Sequence, residues 1–362
     1  MARLQLRQAL ARTDMFAIIS ISHFPAFLFI VGMSIPFAIN NRRKKGDTDA
    51  QIVVHILIRA AALLIMGVIL VNGENINAEA TGFSRLLYNT IACVSFILIW
   101  NAYPTNAKKV WVWSARAAGI LLLAFLAFAV RGGEEGNTIS TYWWGILGLI
   151  GWSYLVSSLI YTFLGRSLVA VAISWVVLIG LSMLAKENLV SFVFIDFMMD
   201  PLSNGSLPFL TVGGILISMI YLRFKGRNAD SKMLTIFGAL AILLFALGFY
   251  TNRFWIIAKL GATPPWVLIC SGITIVTFIV VYWLADIKRK ADWFNFIKPA
   301  GTNTLLCYLI PYFSYAFVSF AGIHWPAFML NGGVGLIKSF LFALLCVFIA
   351  GLLEKKGVQL KL

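Results

Sequence analysis

Charged residues are scarce in this sequence. Asp, Glu, Lys and Arg together make up 12% of the 362 residues, whereas a soluble domain carries about 25%. Hydrophobic residues make up 60% of the chain, and the mean hydropathy is +0.89. This composition excludes a soluble globular protein, because so few charged groups cannot shield the apolar surface from water. The sequence therefore predicts a protein whose solvent is lipid.

Acidic residues are scarcer still. The chain has 14 Asp and Glu against 29 Lys and Arg, which gives a formal net charge of +15. In a soluble protein such a charge would favour nucleic-acid binding. In a membrane protein, however, basic residues collect in the loops on the cytoplasmic side. We therefore expect no nucleic-acid partner and attribute the charge to orientation in the bilayer.

Cysteine and histidine are also few, with four and three residues. Each cysteine lies inside an apolar segment, and no two have a CxxC spacing, so the sequence predicts neither disulfides nor a metal site. The chain lacks the common motifs of soluble enzymes as well: GxGxxG after a strand, GxxxxGK[ST], GxSxG and HExxH. Because these motifs are absent, the apolar segments are the main evidence for the fold.

Long apolar runs occupy most of the chain, and about 20 such residues suffice to cross a bilayer. We expect an all-α, polytopic integral membrane protein with about eleven transmembrane helices in one bundle, forming a single domain over residues 1–362. The run at 188–199 is short and acidic, which favours a re-entrant or interfacial segment. The eleven candidate spans are 16–40, 51–72, 86–102, 110–130, 142–164, 167–185, 208–222, 232–250, 266–286, 303–320 and 335–353.

Basic residues alternate between successive connections. One set of connections, including the C-terminal tail, holds eighteen Lys and Arg, whereas the opposite set holds five. The positive-inside rule places the first set, and hence the C-terminus, in the cytoplasm. The segment 1–23 is atypical, because Arg3, Arg7 and Arg12 favour the same side as the "NRRKK" loop although one helix separates them. Either the N-terminus is translocated, or 8–40 is not one simple span, or a preceding helix is absent from this chain.

Several polar side chains fall at the ends of apolar runs or inside them. Arg59 lies within the second run, where it either snorkels to the headgroups or forms a cationic site for a phosphate-bearing cofactor. Lys298 and Asn303 stand at the start of a later helix, with Tyr308 five residues on. That helix start suits an anion, although a plain capping motif explains the same residues.

The opposite side holds candidate groups for a substrate. Asn72, Glu74 and Glu79 lie in one loop, where carboxylates and amides suit a sugar or an amine; a solvated acidic loop is the alternative. His324 lies on the same side, and His23 joins it if the "NRRKK" loop is cytoplasmic. Both histidines are candidate general bases, although a lone histidine at a helix end is more often structural.

Four segments resemble a known family. They are "FPAFLFIVGMSIPFAINNRRKKG", "ILIRAAALLIMGVIL", "WWGILGLIGWSYL" and "IKPAGTNTLLCYLIPYF". In this order they are similar to the bacterial relatives of heparan-α-glucosaminide N-acetyltransferase, and to the DUF5009 proteins in particular. The resemblance runs from about residue 24 over nearly the whole chain. The first and last segments are its most specific parts.

The resemblance implies an acyltransferase of the bacterial inner membrane. Acetyl-CoA would be used from the cytoplasmic side, and an amino sugar or related acceptor would be acetylated on the far side. A histidine, His23 or His324, would act as general base or transient acyl carrier. The CoA phosphates would meet Arg59, Lys298 and the helix start near Asn303, and Asn303 and Tyr308 would line the path near the thioester. Small residues on several helices allow a homodimer.

The chain departs from the family pattern before residue 24. The family has an initial helix and an outer loop with a histidine, whereas only "LRQALARTDMFAIISISHFPAF" stands here. A late start, a rearranged N-terminus or an inactive member would each give this pattern. Two alternatives to catalysis therefore stay open. One is a transporter or flippase for a sugar or lipid-linked precursor, and the other is a non-catalytic relative.

Overall fold

The computed structural model describes residues 15–133, 137–190, 199–225 and 230–362, and within these ranges the chain is all-helical, without β-strands. Eleven helices in the described part of the chain have 16 residues or more. Nine of these eleven described helices are long and apolar enough to cross a membrane, and α3 and α10 are shorter. The eleven are α1 Met15–Lys44, α2 Asp49–Glu74, α3 Arg85–Trp100, α4 Lys109–Ala129, α5 Gly145–Leu164, α6 Leu168–Lys186, α7 Ser206–Phe224, α8 Asp230–Thr251, α9 Pro264–Tyr282, α10 Thr304–Phe320 and α11 Gly332–Lys355.

The all-helical prediction is confirmed, and each predicted run coincides largely with one helix. The largest differences at a helix start are of three residues: α11 begins at Gly332 rather than at 335, and α5 begins at Gly145 rather than at 142. Tyr142 and Trp144 have φ of 44° and 68°, a left-handed conformation that interrupts a helix. The run at 266–286 ends in a π-helix, Trp283–Ile287. The predictions for residues 1–14, and for most of the segment 188–199, lie outside the described ranges.

Two compact units make up the chain. Unit 1 consists of Met1–Leu64 and Ile146–Lys288, and unit 2 consists of Ile65–Gly145 and Arg289–Leu362. Each unit is thus built from two separate stretches of sequence. The first part of α2 belongs to unit 1 and its last part to unit 2.

Helix α7 is the core of unit 1, because every residue from Ser206 to Ser218 is buried. It packs against α1, α6, α8 and α9. Two glycines let the backbones of α1 and α7 meet. A Cβ on Gly32 would collide with the carbonyl of Thr211, and a Cβ on Gly214 with the carbonyl of Phe29. The α1–α7 contact therefore requires glycine at both positions.

Polar contacts fix α6 on α7. The Trp175 ring stacks on Phe209 with centroids 4.7 Å apart, and its Nε1 donates to the Phe209 carbonyl at 2.9 Å. The hydroxyls of Ser182 and Ser206, both fully buried, share a hydrogen bond of 2.6 Å. These contacts satisfy polar groups that would otherwise be costly in an apolar interior.

The residues after α11, the C-terminal tail, pack against the end of α3 in unit 2. Helix α3 packs against α4 and α10, and α10 packs against α11. After α11 the chain returns to the end of α3. There the Lys361 N–H donates to the Trp100 carbonyl at 3.1 Å, and the Ala102 N–H donates to the Gln359 carbonyl at 2.8 Å. The tail therefore ties the end of α3 to α11.

Candidate functional site

A cavity of about 410 Å³ lies in unit 2 beside the short helix Lys298–Thr302, which precedes α10. Two lysines and one carboxylate line it, together with apolar side chains. The carboxylate of Glu354 accepts a hydrogen bond from the Thr302 hydroxyl at 2.8 Å, and the two lysines against this one carboxylate give the lining a net positive charge. The cavity thus suits an anionic group attached to an apolar one. Its lining includes Lys298, Pro299, Thr302, Phe348, Glu354 and Lys355.

Asn303 lies at the junction of the short helix and α10, and it is 1% exposed. Its Nδ2 donates to the Val358 carbonyl at 3.0 Å, and its Oδ1 accepts from the Leu360 N–H at 3.1 Å. Both contacts hold the C-terminal tail. The sequence predicted a cofactor contact for Asn303, and in the structure these tail contacts occupy its amide.

Tyr308 and Tyr312 form a phenol pair one and two turns into α10. Their hydroxyl oxygens are 3.4 Å apart, and their rings meet at 63° with centroids 5.9 Å apart. The Glu74 carboxylate and the Cys93 thiol are near enough to interact electrostatically with both phenols. The predicted residues Glu74 and Tyr308 are thus brought together, although they are 234 positions apart.

Tyr88 and Asn89 of α3 extend this cluster. They are 0% and 6% exposed, and the Tyr88 hydroxyl and the Asn89 Oδ1 have no hydrogen-bond partner among the described residues. Both side chains abut Gly73, the neighbour of Glu74. We call Glu74, Tyr88, Asn89, Tyr308 and Tyr312 the phenol cluster. Tyr88 and Asn89 are a polar pair inside an apolar run, a signal that the sequence prediction missed.

The other predicted residues of unit 2 lie in different settings. Asn72 is buried; its Nδ2 donates to the Ser140 carbonyl at 2.6 Å and its Oδ1 accepts from the Ser140 N–H at 3.1 Å. Glu79 is exposed in the first turn of the short helix Ala78–Thr81. His324 is exposed in the loop between α10 and α11. Of the three predicted acceptor residues, only Glu74 belongs to the phenol cluster.

Arg59 and His23 belong to unit 1. His23 lies on α1 and is exposed. The guanidinium of Arg59 lies 4.8 Å from the centroid of the Tyr154 ring, on α5. The Nε of Arg59 is buried and has no hydrogen-bond partner among the described residues. His55, one turn before Arg59, is near enough to interact electrostatically with Arg59 and Arg42.

Helix α5 also carries a row of buried hydroxyls that the sequence prediction missed. Ser153, Ser157 and Ser158 are all 0% exposed, and their Oγ atoms find no hydrogen-bond partner in the described part of the chain. Thr162 behaves differently, because its hydroxyl donates to the Ser158 carbonyl at 2.7 Å. In an apolar helix a Ser or Thr hydroxyl usually donates to the carbonyl four residues earlier, as the Thr162 hydroxyl does.

Comparisons with known proteins were made on the whole sequence. No model of a known protein family matches the chain. No curated protein matches it either. Within the described ranges, no three His, Cys, Asp or Glu side chains are grouped so that they could hold a metal ion. The family resemblance therefore stays a prediction, and the residues themselves are the basis for a function.

Proposed function

We propose that this chain is a membrane-embedded acyltransferase, which moves an acetyl group from cytoplasmic acetyl-CoA to an amino sugar or related acceptor on the outer face. In this proposal all eleven long helices cross the bacterial inner membrane as one bundle, and the C-terminus is cytoplasmic. The resemblance of four ordered segments to the acetyltransferase family supports the proposal. So does the arrangement of polar groups within unit 2.

One observation carries the proposal: a cation-lined cavity and the phenol cluster lie beside two consecutive helices of unit 2. Lys298 begins the short helix, and Tyr308 lies one turn into α10, with the break at Asn303 between them. The CoA phosphates would bind at the cavity, near Lys298 and Lys355. The thioester would then extend along α10 towards Tyr308. The buried Tyr88 hydroxyl and the Asn89 oxygen, which have no hydrogen-bond partner among the described residues, would face the reacting groups.

The reaction requires a base and an oxyanion donor. The acceptor nitrogen attacks the thioester carbonyl carbon, so a C–N bond forms and the C–S bond breaks. His324, which is exposed in the loop after α10 of the same unit, takes the proton that the amine loses and passes it to the CoA thiolate as the thiolate leaves. The Tyr308 hydroxyl donates to the developing oxyanion. Glu74, with the exposed Glu79 nearby in sequence, attracts the amine of the acceptor before attack.

Replacement of Tyr308 by phenylalanine tests this proposal. Loss of one oxyanion donor lowers the turnover number by about 100-fold or more, so we expect that loss in Tyr308→Phe. The assay measures transfer from labelled acetyl-CoA to glucosamine and other amino sugars in membranes that contain the chain.

The matched control is Tyr315→Phe, on the same helix, because Tyr315 is 60% exposed and should tolerate the change. Equal activity of Tyr308→Phe and wild type would refute the role of Tyr308. Absence of transfer to every acceptor by the folded wild-type protein would refute the acyltransferase.

A transporter or flippase for a sugar or lipid-linked precursor is the second candidate. The observation in its favour is broken helix geometry, which is common at the binding sites of transporters. Asn303 interrupts the entry to α10 with φ −136° and ψ 47°, and α9 ends in a π-helix. Sugar uptake into proteoliposomes without an acyl donor would favour this candidate. A non-catalytic relative would bind CoA without turnover.

A further inference from the structure

Arg59 lies deep inside an apolar helix. It follows the first residue of α2, Asp49, by ten positions, or about 15 Å along the axis. That distance is half of the roughly 30 Å hydrocarbon core of a bilayer. Its aromatic partner Tyr154 is equally far from Leu164, the last residue of α5. The guanidinium thus stacks on an aromatic ring of another helix of unit 1.

No carboxylate among the described residues pairs with the charge of Arg59. Two ion pairs within the described ranges join Arg42 to Asp47 at 2.7 Å and Arg43 to Asp49 at 3.0 Å. Tyr154 covers one face of the Arg59 guanidinium, but an aromatic face leaves the N–H donors in the guanidinium plane unused. A charged group at such depth is normally paired or serves a binding site.

Hydroxyl donors stand on the same face of α5 as Tyr154. Ser157 and Ser158 follow Tyr154 by three and four residues, so the three side chains are neighbours on the helix surface. Both Oγ atoms are fully buried and have no partner among the described residues. Nearly all buried polar groups are hydrogen-bonded, and each exception calls for an explanation. A bound acceptor would satisfy these hydroxyls and the guanidinium together.

We propose that Arg59, Tyr154, Ser157 and Ser158 form an anion site in unit 1 that takes a phosphate group. A planar guanidinium matches phosphate oxygens with two parallel hydrogen bonds, and hydroxyls supply further donors. The phosphate comes from an anionic phospholipid or from a soluble phosphate-bearing cofactor. This inference concerns binding alone and is independent of acetyl transfer.

The experiment uses the full chain in nanodiscs, with Lys298→Gln and Lys355→Gln throughout so that the cavity of unit 2 does not retain coenzyme A. On that background it compares four proteins: wild type, Arg59→Gln, the double variant Ser157→Ala/Ser158→Ala, and Arg116→Gln. Arg116 is the matched control, because it also stacks on aromatic rings and has a buried Nε without a described partner. It belongs to unit 2. The first probe is coenzyme A, added to protein in zwitterionic phosphatidylcholine discs. The second probe is phosphatidylglycerol, whose binding is compared with that of phosphatidylcholine in lipid titrations followed by native mass spectrometry.

We expect at least one probe to bind, with affinity about tenfold or more weaker in the Arg59 and double-serine variants and unchanged in the Arg116 control. Binding of coenzyme A alone identifies a cofactor as the source, and preference for phosphatidylglycerol alone identifies a lipid. Failure of both probes to bind the folded wild type would overturn the proposal. Binding that is equally strong in Arg59→Gln would overturn it too.

The double-serine variant also separates binding from folding. Alanine removes two unpaired buried hydroxyls, so the ligand-free variant should melt at the wild-type temperature or above it. The rise in melting temperature on adding the probe should nevertheless shrink. A ligand-free variant that melts lower, with an unchanged rise on adding the probe, would assign the serines to packing and contradict the site.

Discussion

Replacement of Asn303 by alanine should release the C-terminal tail of unit 2. Asn303 is 1% exposed, and its side chain makes hydrogen bonds with the Val358 carbonyl and the Leu360 N–H. Alanine leaves both backbone groups without this partner, and each such loss costs about 1–3 kcal/mol. We expect the free energy of tail opening to fall by about 2–6 kcal/mol, the sum of the two losses. That change multiplies the opening equilibrium constant by roughly 30 to 20,000.

Hydrogen–deuterium exchange of the tail peptide measures this opening directly, because exchange follows local opening. We expect faster exchange at Leu360 and Lys361 in Asn303→Ala. Asn295→Ala is the control, since the Asn295 side chain is exposed and bonds only locally, to Asp292 at 3.1 Å. Unchanged tail exchange in Asn303→Ala, together with weaker coenzyme A binding, would refute the tail role. It would support the cofactor contact that the sequence predicted.

Two further changes test the packing of unit 1. Gly214→Ala should destabilise the fold by about 1–3 kcal/mol or more and lower its melting temperature, because the new Cβ meets the Phe29 carbonyl. Gly238→Ala is the control: a Cβ there has no atom within 4 Å, so this change should stabilise the fold by about 0.5–1 kcal/mol. The reverse order of melting temperatures would refute the α1–α7 contact. Ser182→Ala should cost about 1–3 kcal/mol by stranding the Ser206 hydroxyl. The double change Ser182→Ala/Ser206→Ala should recover most of that loss, and an additive loss would disprove the hydrogen bond between the two hydroxyls.

The helices of this fold could be predicted from the positions of the apolar runs, because eleven separate runs leave few alternatives. Their boundaries are harder to predict. The sequence "TYWW" contains no glycine or proline before Trp144, so nothing local indicated that Tyr142 and Trp144 adopt positive φ. The return of the tail to Trp100 was likewise beyond prediction, because backbone pairing between distant segments has no residue pattern of its own.

The candidate site was predictable only in part. Glu74, Lys298 and Tyr308 are polar groups next to apolar runs, and such residues attract attention in any membrane sequence. Serines such as Ser157 have an ordinary explanation in helix packing, since small residues let helices approach. Whether their hydroxyls are hydrogen-bonded depends on which acceptor atoms lie within reach after the chain has folded. No local sequence pattern contains that information.

The discontinuous make-up of unit 2 has a consequence for biosynthesis. Helix α3 leaves the ribosome early, whereas its partner α10 emerges only after the six helices α4 to α9 have been made. Chains are synthesised from the N-terminus and begin to fold in that order. Throughout that interval the face of α3 that α10 later covers needs another partner. A membrane chaperone or the insertion machinery itself would have to shield this face until α10 and the tail segment around Leu360 arrive and complete the unit.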